Sequence, residues 1–410
     1  MNVTAFIARR IVFNRQKTFS GFIIKLAAAA TALSVAAMII TLSFVNGFQQ
    51  TISNKVFAFW GHLHAIRYEV NRSSIAEETA IERNDTVVNI IKNNDYVRHV
   101  QAYATKSAVI SFNQNIEGIL FKGIDSSFDI NYFKQFITQG SFINFNEPLY
   151  THAIIISEYT AKQLKLQVND TISMNFIAEE QEKTGFTKVA ISGIYKTGIE
   201  EFDKIYAVGD IRVVQRFNNW KPNEIGGYEI FINDKDEIKD ADESLNLHLP
   251  DKWMSRSIKD IHPNIFDWLG IQDTNRTVIF IVMALVALIN MVTCLLILVM
   301  ERTKMIGILK ATGANNYFIS DIFHYYSGFI AVVGVGAGLF IGVGICLLQQ
   351  YTGFITLDES AYYVSRAPVM IVWWQVALVT AGALAVCLLA LRLPLLIVNS
   401  IKPVKAIQFS

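Results

Sequence analysis

The sequence predicts an α-helical membrane protein with four transmembrane helices and a large α+β extracytoplasmic domain inserted between helices 1 and 2. Four apolar runs are each long enough to cross a bilayer, which takes about 20 residues. A polar stretch, 49–276, separates the first run from the second. Of the 410 residues, 52% are hydrophobic and only 17% are charged, a balance that leans towards the membrane.

Each apolar run is justified by its length and its lack of charge. The first is also too long and continuous for the core of a signal peptide, so we interpret it as a signal anchor. The runs are Leu26–Val45, Thr277–Met300, Ser327–Leu348 and Pro368–Leu391.

These runs and their flanks predict the organisation of the whole chain. The predicted segments are an amphipathic elbow helix at 1–22, helix 1 at 23–48, the α+β domain at 49–276, helix 2 at 277–300, a coupling helix and loop at 301–326, helix 3 at 327–350, a short loop at 351–367, helix 4 at 368–392 and a tail at 393–410.

The distribution of charge predicts the orientation in the membrane. Lys and Arg accumulate on the cytoplasmic side of membrane proteins. Residues 1–25, 301–326 and 392–410 together hold 11 basic and 2 acidic residues, whereas 49–276 holds 24 basic and 31 acidic ones. We therefore expect both termini and 301–326 in the cytoplasm and the large domain, 49–276, on the other side of the membrane.

The large domain shows alternating strand and helix patterns, which is the basis of the α+β prediction. Two short apolar runs around Asn113–Asn115 predict a β-hairpin. The stretch 178–188 is polar and is predicted to be an exposed excursion between two strands. The other predicted strands are 153–156, 171–177, 189–195 and 228–232, and the predicted helices are 85–94, 158–166, 210–217 and 235–245.

Residue patterns for catalysis or cofactor binding are scarce. His62 and His64 lie close together, but without further ligands such a pair more often lies at an ordinary surface than on a metal. No phosphate-binding G-x-x-x-x-G-K-[ST] motif occurs. The sequence has no basic block typical of nucleic-acid binding. We expect neither an enzymatic site, a metal site nor a cofactor in this chain; if ATP drives this protein, another chain hydrolyses it.

Glycines recur every four residues in the third run, at Gly334, Gly338 and Gly342. The surrounding G-x-G-x-G resembles a nucleotide loop, but it lies inside an apolar helix. Small residues at this spacing are typical of close packing between membrane helices. We therefore predict a helix-packing face.

The loop after the second run predicts a short amphipathic helix on the cytoplasmic side. Met305, Ile306, Ile308 and Leu309 form its apolar face, and Gly313 is placed to end it. Such a helix can lie in the lipid interface or insert into a groove of a partner protein. Periodicity alone leaves both alternatives open.

The same loop resembles the coupling-helix signature of the FtsX-like and MacB-type ABC transporter permeases. The resemblance implies contact with a cytoplasmic ABC ATPase dimer. Met305 replaces the acidic residue that usually precedes the Ile-Gly pair of the family. The resemblance assigns contact with the ATPase to the residues that match the family's coupling helix. They are Glu301, Arg302, Met305, Ile306, Gly307, Ile308, Leu309, Lys310 and Gly313.

A narrower resemblance is to the lipoprotein-releasing transmembrane subunits of the LolC/LolE type. It is carried by Leu42–Phe48, which contains Asn46-Gly47-Phe48, by Gly193–Gly198 followed by Asp203, and by Lys402–Ile407. The histidines after Gly61 fit the family pattern only loosely. This resemblance implies transport of lipoproteins by a pair of permeases, the second being either an identical copy or a paralogue. It also implies that the chain lies in the inner membrane of a bacterium, with the large domain in the periplasm.

The resemblance also implies a substrate cavity that holds acyl chains between helices 1 and 2. An ordinary helix-packing role is equally expected for any single one of the cavity residues. They are Met38, Ile39, Leu42, Phe44, Val45 and Phe48.

The excursion at 178–188 is the counterpart of the family's loop that captures a periplasmic lipoprotein carrier, but it is shorter and lacks that loop's prolines. We mark it as a candidate carrier-binding loop through Glu182, Thr184, Gly185 and Phe186. The basic elbow helix suits anionic membrane lipids. Two alternative functions remain open: a MacB-like efflux or mechanotransmission permease, and an FtsX-like signalling permease that regulates a cell-wall hydrolase.

Overall fold

A helix of 42 residues, α1 (Phe19–Trp60), begins the computed structural model, which describes residues 19–68, 79–113, 115–145, 147, 150–177 and 185–390. The later helices are α2 (Asp85–Lys92), α3 (Ile130–Lys134), α4 (Glu158–Leu164), α5 (Glu200–Ile205), α6 (Ile211–Phe217), α7 (Ile238–His248), α8 (Ile258–Ile261), α9 (Pro263–Glu301), α10 (Thr303–Ala311), α11 (Asn316–Thr352), α12 (Glu359–Tyr362) and α13 (Trp373–Ala390).

Strands fill much of the chain between α1 and α9. They are β1 (Leu63–Arg67), β2 (Ile81–Glu82), β3 (Val97–Phe112), β4 (Asn115–Ile124), β5 (Ile137–Gly140), β6 (Ala153–Ser157), β7 (Thr171–Phe176), β8 (Gly185–Tyr195), β9 (Tyr206–Asp210), β10 (Glu224–Ile225), β11 (Gly227–Ile232) and β12 (Trp253–Ser257).

Two compact units divide these elements. The helical unit comprises the described parts of 1–50, 269–356 and 366–410. The sheet unit comprises the described parts of Thr51–Trp268 together with Leu357–Ser365. The predicted extracytoplasmic domain therefore includes a short segment from the loop between the third and fourth apolar runs.

The candidate membrane spans among the described residues lie mostly in the helical unit. Three stretches are long and apolar enough to cross a bilayer: Lys25–Trp60, Pro263–Glu301 and Asn316–Thr352. The apolar helix at Trp373–Leu389 is shorter. A membrane protein with at least three candidate spans follows from these helices. The fourth span remains a prediction, and the tail and most of the elbow helix lie outside the described residues.

The helices are longer than the apolar runs that predicted them. Helix α1 continues past the predicted end at 48, because Ile52, Val56 and Phe59 are buried at helical spacing. Helix α9 begins at Pro263 rather than at 277, and proline favours the first helical position. Hydropathy detects the lipid-compatible part of a helix and misses its polar extension.

The glycine face of α11 packs as predicted. A Cβ on Gly338 would lie 2.6 Å from the Ala32 carbonyl oxygen of α1, and one on Gly342 would lie 3.1 Å from the Ala36 Cα. The missing side chains let the two backbones approach closely.

The sheet unit is built on a ten-stranded mixed sheet, with strand order β12-β1-β11-β3-β4-β9-β6-β8-β5 and with β7 paired to β3 and β8. Strands β3 and β4 form the predicted hairpin, closing at Phe112↔Asn115. Most pairs are antiparallel, whereas β4–β9 and β6–β8 are parallel. The predicted excursion needs correction: Gly185–Lys188 is not loop but part of β8, paired with Ser173–Phe176 of β7.

The core of the sheet unit surrounds the last turn of α1. Phe59 is fully buried and its ring lies 5.1 Å from that of Phe202 and 5.7 Å from that of Phe133. Aromatic pairs at these separations contribute beyond their buried area. The end of α1 is thus an integral part of this core.

Candidate functional site

A groove of about 480 Å³ lies between α1 and α9 in the helical unit. Three of the predicted cavity residues, Phe44, Val45 and Phe48, line its α1 side. Ile40 and Thr41 extend that side. The α9 side is formed by Gln272, Asn275, Arg276, Val278 and Ile279.

The groove is apolar along most of its length and polar at one end of the α9 side. Val278 and Ile279 continue the apolar surface of Phe44 and Phe48. The Arg276 guanidinium pairs with Asp273 at 2.8 Å, one helical turn earlier. Such a groove can accept a hydrocarbon chain with a polar group at one end.

The other three predicted cavity residues do not line this groove. Met38 and Ile39 are buried in a cluster with Val335 of α11 and Val376 of α13. Leu42 is buried as well. For these residues the helix-packing interpretation fits the structure, because their side chains face the neighbouring helices.

The Asn46-Gly47-Phe48 motif has a clear structural reason. A Cβ on Gly47 would collide with the Pro368 carbonyl group, so the close approach of the two segments requires glycine. The Asn46 Nδ2 donates a hydrogen bond of 2.6 Å to Gln375 Oε1. The Met370 amide donates one of 3.0 Å to the Ser43 carbonyl. The motif fixes α1 against the start of α13 and leaves Phe48 on the groove.

The coupling residues form a short helix, α10, with a different exposure from that predicted. Ile306 and Gly307 are buried, and Ile306 packs with Ile319 and Phe323 of α11. Met305 and Leu309 pack against the same cluster. The apolar face therefore points into the helical unit, and of the four apolar residues predicted to form it only Ile308 is exposed, at 59%.

A different surface of α10 is accessible. Lys304, Ile308 and Ala311 are exposed at the spacing of one helical face. Gly313 has φ +97°, which favours glycine and ends the helix. Of the remaining predicted residues, Glu301 ends α9 and is exposed, whereas Arg302 and Lys310 are half-buried.

The candidate carrier-binding loop is described only at its end. Glu182 and Thr184 lie outside the described residues. Gly185 and Phe186 begin β8, and the Phe186 side chain is 60% exposed. An exposed phenylalanine beside a polar stretch is compatible with a docking role.

A buried ionic network at the end of α1 was not predicted from the sequence. The Lys122 Nζ lies 2.6 Å from Glu229 Oε1, and the two side chains are 1% and 0% exposed. Lys122 also donates a 2.5 Å hydrogen bond to the Phe59 carbonyl and lies 4.1 Å from the Trp60 ring centroid. A cation here satisfies a carbonyl group that the helix end leaves without an intrahelical partner.

The histidine pair belongs to the same region, and its expected surface position is wrong. His64 is buried: one ring nitrogen lies 2.8 Å from the Trp60 carbonyl oxygen and the other lies 3.0 Å from the Tyr103 hydroxyl. His62 stacks on Phe57. Burial lowers the pKa of His62 to about 4, and it does the same for His262 with help from the Lys122 charge. Within the described residues no group of three or more metal-ligating side chains occurs.

The Gly193–Gly198 motif ends in a tight turn held by Asp203. The carboxylate of Asp203 accepts hydrogen bonds from the Thr197 amide (2.9 Å), the Thr197 hydroxyl (2.7 Å) and the Gly198 amide (2.9 Å). Gly198 has φ +76°. The spacing between this glycine and the aspartate is therefore explained by a carboxylate that closes the turn.

Two family models match this chain. Residues 26–246, more than half of the chain, match the MacB-like periplasmic core domain, and residues 277–403 match the FtsX-like permease C-terminal domain. The second match begins inside α9.

Curated relatives match over nearly the full length. The lipoprotein-releasing system transmembrane protein LolE of Haemophilus influenzae is 24% identical over 420 aligned residues, covering 96% of each chain. LolC of the same organism is 23% identical over 79% of each chain. LolC of Xylella fastidiosa is 19% identical over 96% of each chain.

Solved structures of extracytoplasmic regions are also similar. The extracellular domain of the ABC-type transporter YknZ from Gram-positive bacteria is 16% identical, with a TM-score of 0.34, and covers 48% of this chain and 99% of its own. The periplasmic region of MacB from Actinobacillus actinomycetemcomitans is 12% identical, with a TM-score of 0.34, over 50% and 91%. From the two family matches, the chain belongs to the ABC transporter permeases that combine a MacB-like periplasmic core domain with an FtsX-like C-terminal domain.

Proposed function

We propose that this chain is the permease subunit of an ABC transporter that extracts lipoproteins from the outer leaflet of the inner membrane and releases them towards a periplasmic carrier. The observation that carries the proposal is the groove between α1 and α9, which presents Phe44, Val45 and Phe48 opposite a polar end at Arg276. The names of the relatives LolE and LolC, which match over 96% and 79% of this chain, supply the substrate class.

The energetics explain why such a groove is needed. Each buried CH₂ of an acyl chain holds a lipoprotein in the bilayer by about 0.8 kcal/mol. A groove that replaces lipid contacts with Phe44, Val45 and Phe48 lowers the cost of removing one chain from the bilayer. In the proposed mechanism a second permease, identical or paralogous, completes the cavity.

Work would come from a separate cytoplasmic ATPase dimer that binds ATP and Mg²⁺. The exposed face of α10, formed by Lys304, Ile308 and Ala311, is the surface we assign to it. Because Ile306 packs into the core of the helical unit, a push on that face would reach α11 and α9 directly. This assignment requires both termini to be cytoplasmic and the sheet unit to be periplasmic.

Depletion of the chain tests the proposal as a whole. Inner and outer membranes are separated after depletion, and mature lipoproteins are located in each fraction. We expect lipoproteins to accumulate in the inner membrane. Normal sorting in a strain without a redundant copy would refute lipoprotein release and favour the efflux or signalling functions.

Groove variants test the site itself. In a reconstituted complex, Phe44→Ala and Phe48→Ala should lower lipoprotein release with little change in thermal stability, because both side chains line the groove. Met38→Ala is the matched control, since it truncates a packing residue of the same helix. It should lower stability by about 2–5 kcal/mol. Wild-type release by both phenylalanine variants would remove the groove from the mechanism.

Carrier docking needs a separate experiment. A photoreactive residue at Phe186, whose side chain is 60% exposed, or at Thr184 is used to seek adducts with periplasmic proteins. An adduct with a lipoprotein carrier is expected. If neither position yields one, the 178–188 segment is not the docking loop.

A further inference from the structure

The segment between α11 and α13 carries contacts that the proposed function does not explain. We call Leu357–Ser365 the crossover loop; it contains the short helix α12 and belongs to the sheet unit. From the sequence this region is expected to be a simple connection. In the structure it is held at several points of the sheet unit.

The first point of attachment is ionic. Lys196, directly after β8, pairs with Glu359 of the crossover loop. The Lys196 Nζ also lies 3.9 Å from Glu158 Oε2 of α4. The hydrogen bond that Lys196 donates to Glu359 raises the pKa of Lys196, so the lysine is charged at neutral pH.

Tyr363 supplies three further attachments. Its carbonyl oxygen accepts a 2.8 Å hydrogen bond from Lys55 of α1. Burial and the nearby Glu201 carboxylate of α5 raise the pKa of its hydroxyl. Its ring lies edge-on to Trp268 of α9, with centroids 5.7 Å apart. One residue of the loop therefore contacts α1, α5 and α9.

The Gly193–Gly198 motif forms the surface on which the crossover loop docks; we call its Gly198 end the seat of the loop. A Cβ on Gly198 would lie 2.5 Å from Glu359 Oε1 and 2.9 Å from Lys55 Nζ. A side chain at this position would displace both groups from their present places. Asp203 holds this turn in place through its three hydrogen bonds. The family motif and the crossover loop thus form one structural arrangement.

Two features make this attachment releasable. The Lys196 and Glu359 side chains are 38% and 27% exposed, at a water-accessible cleft of about 370 Å³, so the separated charges can be hydrated. Tyr363 has φ +61°, a left-handed conformation that is unfavourable for a tyrosine. Undocking would relieve that strain and compensate part of the lost contacts.

We propose that the crossover loop is a latch, with Lys196 and Glu359 as positioning residues that dock it on the sheet unit and let it release during each transport cycle. The latch rests on the proposed function only in requiring an ATP-driven cycle. It does not depend on which molecule is transported.

Charge reversal tests the ion pair in the full chain co-purified with its ATPase. Lys196→Glu and Glu359→Lys should each lower lipoprotein release several-fold per ATP hydrolysed, because like charges then face each other. The double reversal should recover a large part of the loss. Lys239→Glu is the control, since Lys239 belongs to an exposed pair on α7. The latch proposal would be wrong if the single variants released as much lipoprotein per ATP as the wild type. It would also be wrong if the double variant released no more than the single variants.

Reversible cross-linking provides a readout that is independent of the substrate. Lys196→Cys and Glu359→Cys are combined, and native membranes are treated with a bifunctional methanethiosulfonate reagent. The three native cysteines are buried in apolar helices, which keeps the background low. We expect the cross-linking yield to fall when vanadate traps nucleotide in the ATPase, and ATP hydrolysis to be inhibited until a reductant opens the bridge.

These measurements distinguish a failure of the latch proposal from a failure of the proposed transport function. A nucleotide-dependent yield supports the latch even in a chain that proves to move no lipoprotein. An equal yield in every nucleotide state, with full ATPase activity of the cross-linked protein, would show that the loop is a static connection.

Discussion

Two ion pairs of the sheet unit have opposite surroundings. Lys122–Glu229 is 1% and 0% exposed and holds the end of α1 through the Phe59 carbonyl. Lys196–Glu359 is 38% and 27% exposed and holds the crossover loop. Separating the first pair would leave charges in a medium that cannot hydrate them, whereas water can replace the partners of the second. The comparison indicates a permanent attachment and a releasable one in the same domain.

The largest expected effect is on the buried pair. Lys122→Met leaves the Glu229 carboxylate buried without its cation, although Gln101 still donates a 2.7 Å hydrogen bond to it. Breaking a buried pair in this way costs about 3–5 kcal/mol. We expect a large drop in the thermal midpoint of the purified chain, partly recovered by adding Glu229→Gln. A midpoint equal to that of the wild type would show that this attachment is not structural.

The second effect is a loss of stability in acid. His62 and His262 have pKa values of about 4 in the folded chain and 6.5 when unfolded, because burial disfavours their charged forms. The unfolded chain then binds more protons as the pH falls, so their contribution to stability is present above pH 6.5 and is lost between pH 6.5 and about 4.

The slope of stability against pH checks this expectation. The double variant His62→Gln, His262→Gln is less stable at neutral pH but should show a shallower loss over the same range. A slope as steep as that of the wild type would assign the acid sensitivity to other groups.

A smaller effect is expected at the seat of the loop. Gly198→Ala introduces a Cβ at φ +76° that would lie 2.9 Å from Lys55 Nζ and 3.1 Å from the Tyr363 carbonyl oxygen, two groups that remain when Glu359 is replaced by cysteine. The left-handed conformation alone costs about 1–2 kcal/mol. The variant should lower the cross-linking yield between positions 196 and 359. Gly270→Ala is the matched control, because no described atom lies within 4 Å of its Cβ, and it should be neutral or slightly stabilising. Equal yields in both variants would contradict the proposed seat.

The smallest effect is on the exposed pair. Lys196→Met should change the free energy of unfolding by less than about 1 kcal/mol, because water and salt already screen this pair. The comparison with Lys122→Met, measured by the same thermal unfolding, tests the distinction between the two attachments directly. Similar losses of unfolding free energy in both variants would show that the two attachments do not differ.

The elements that could be predicted from the sequence are those whose signal is local. Apolar runs predicted the long helices, four-residue spacing predicted the glycine face of α11, and two apolar runs around a polar turn predicted the β3–β4 hairpin. Strands β1, β2, β5, β9, β10 and β12 were missed; each has at most five residues, too few for a clear pattern of alternation.

The candidate site was predicted only in part, for two physical reasons. Met38 and Phe44 are both apolar residues of α1, and only the rotation of the helix against α9 and α11 decides which one lines the groove. Lys122 and His64 appear in sequence as ordinary polar residues. Their burial depends on partners such as Glu229 and Tyr103, which the sheet brings from distant parts of the chain.

The close contact between α11 and α1 has a mechanical consequence. Gly334, Gly338 and Gly342 bring the α11 backbone against Ala28–Ile39, so a slide of one helix along the other would drive side chains into backbone. The two helices therefore behave as one rigid pair. Helix α9 shows a contrasting surface, since Ile281, Leu285 and Ile289 are exposed along it. The groove therefore has one wall that belongs to this rigid pair and one wall that belongs to α9.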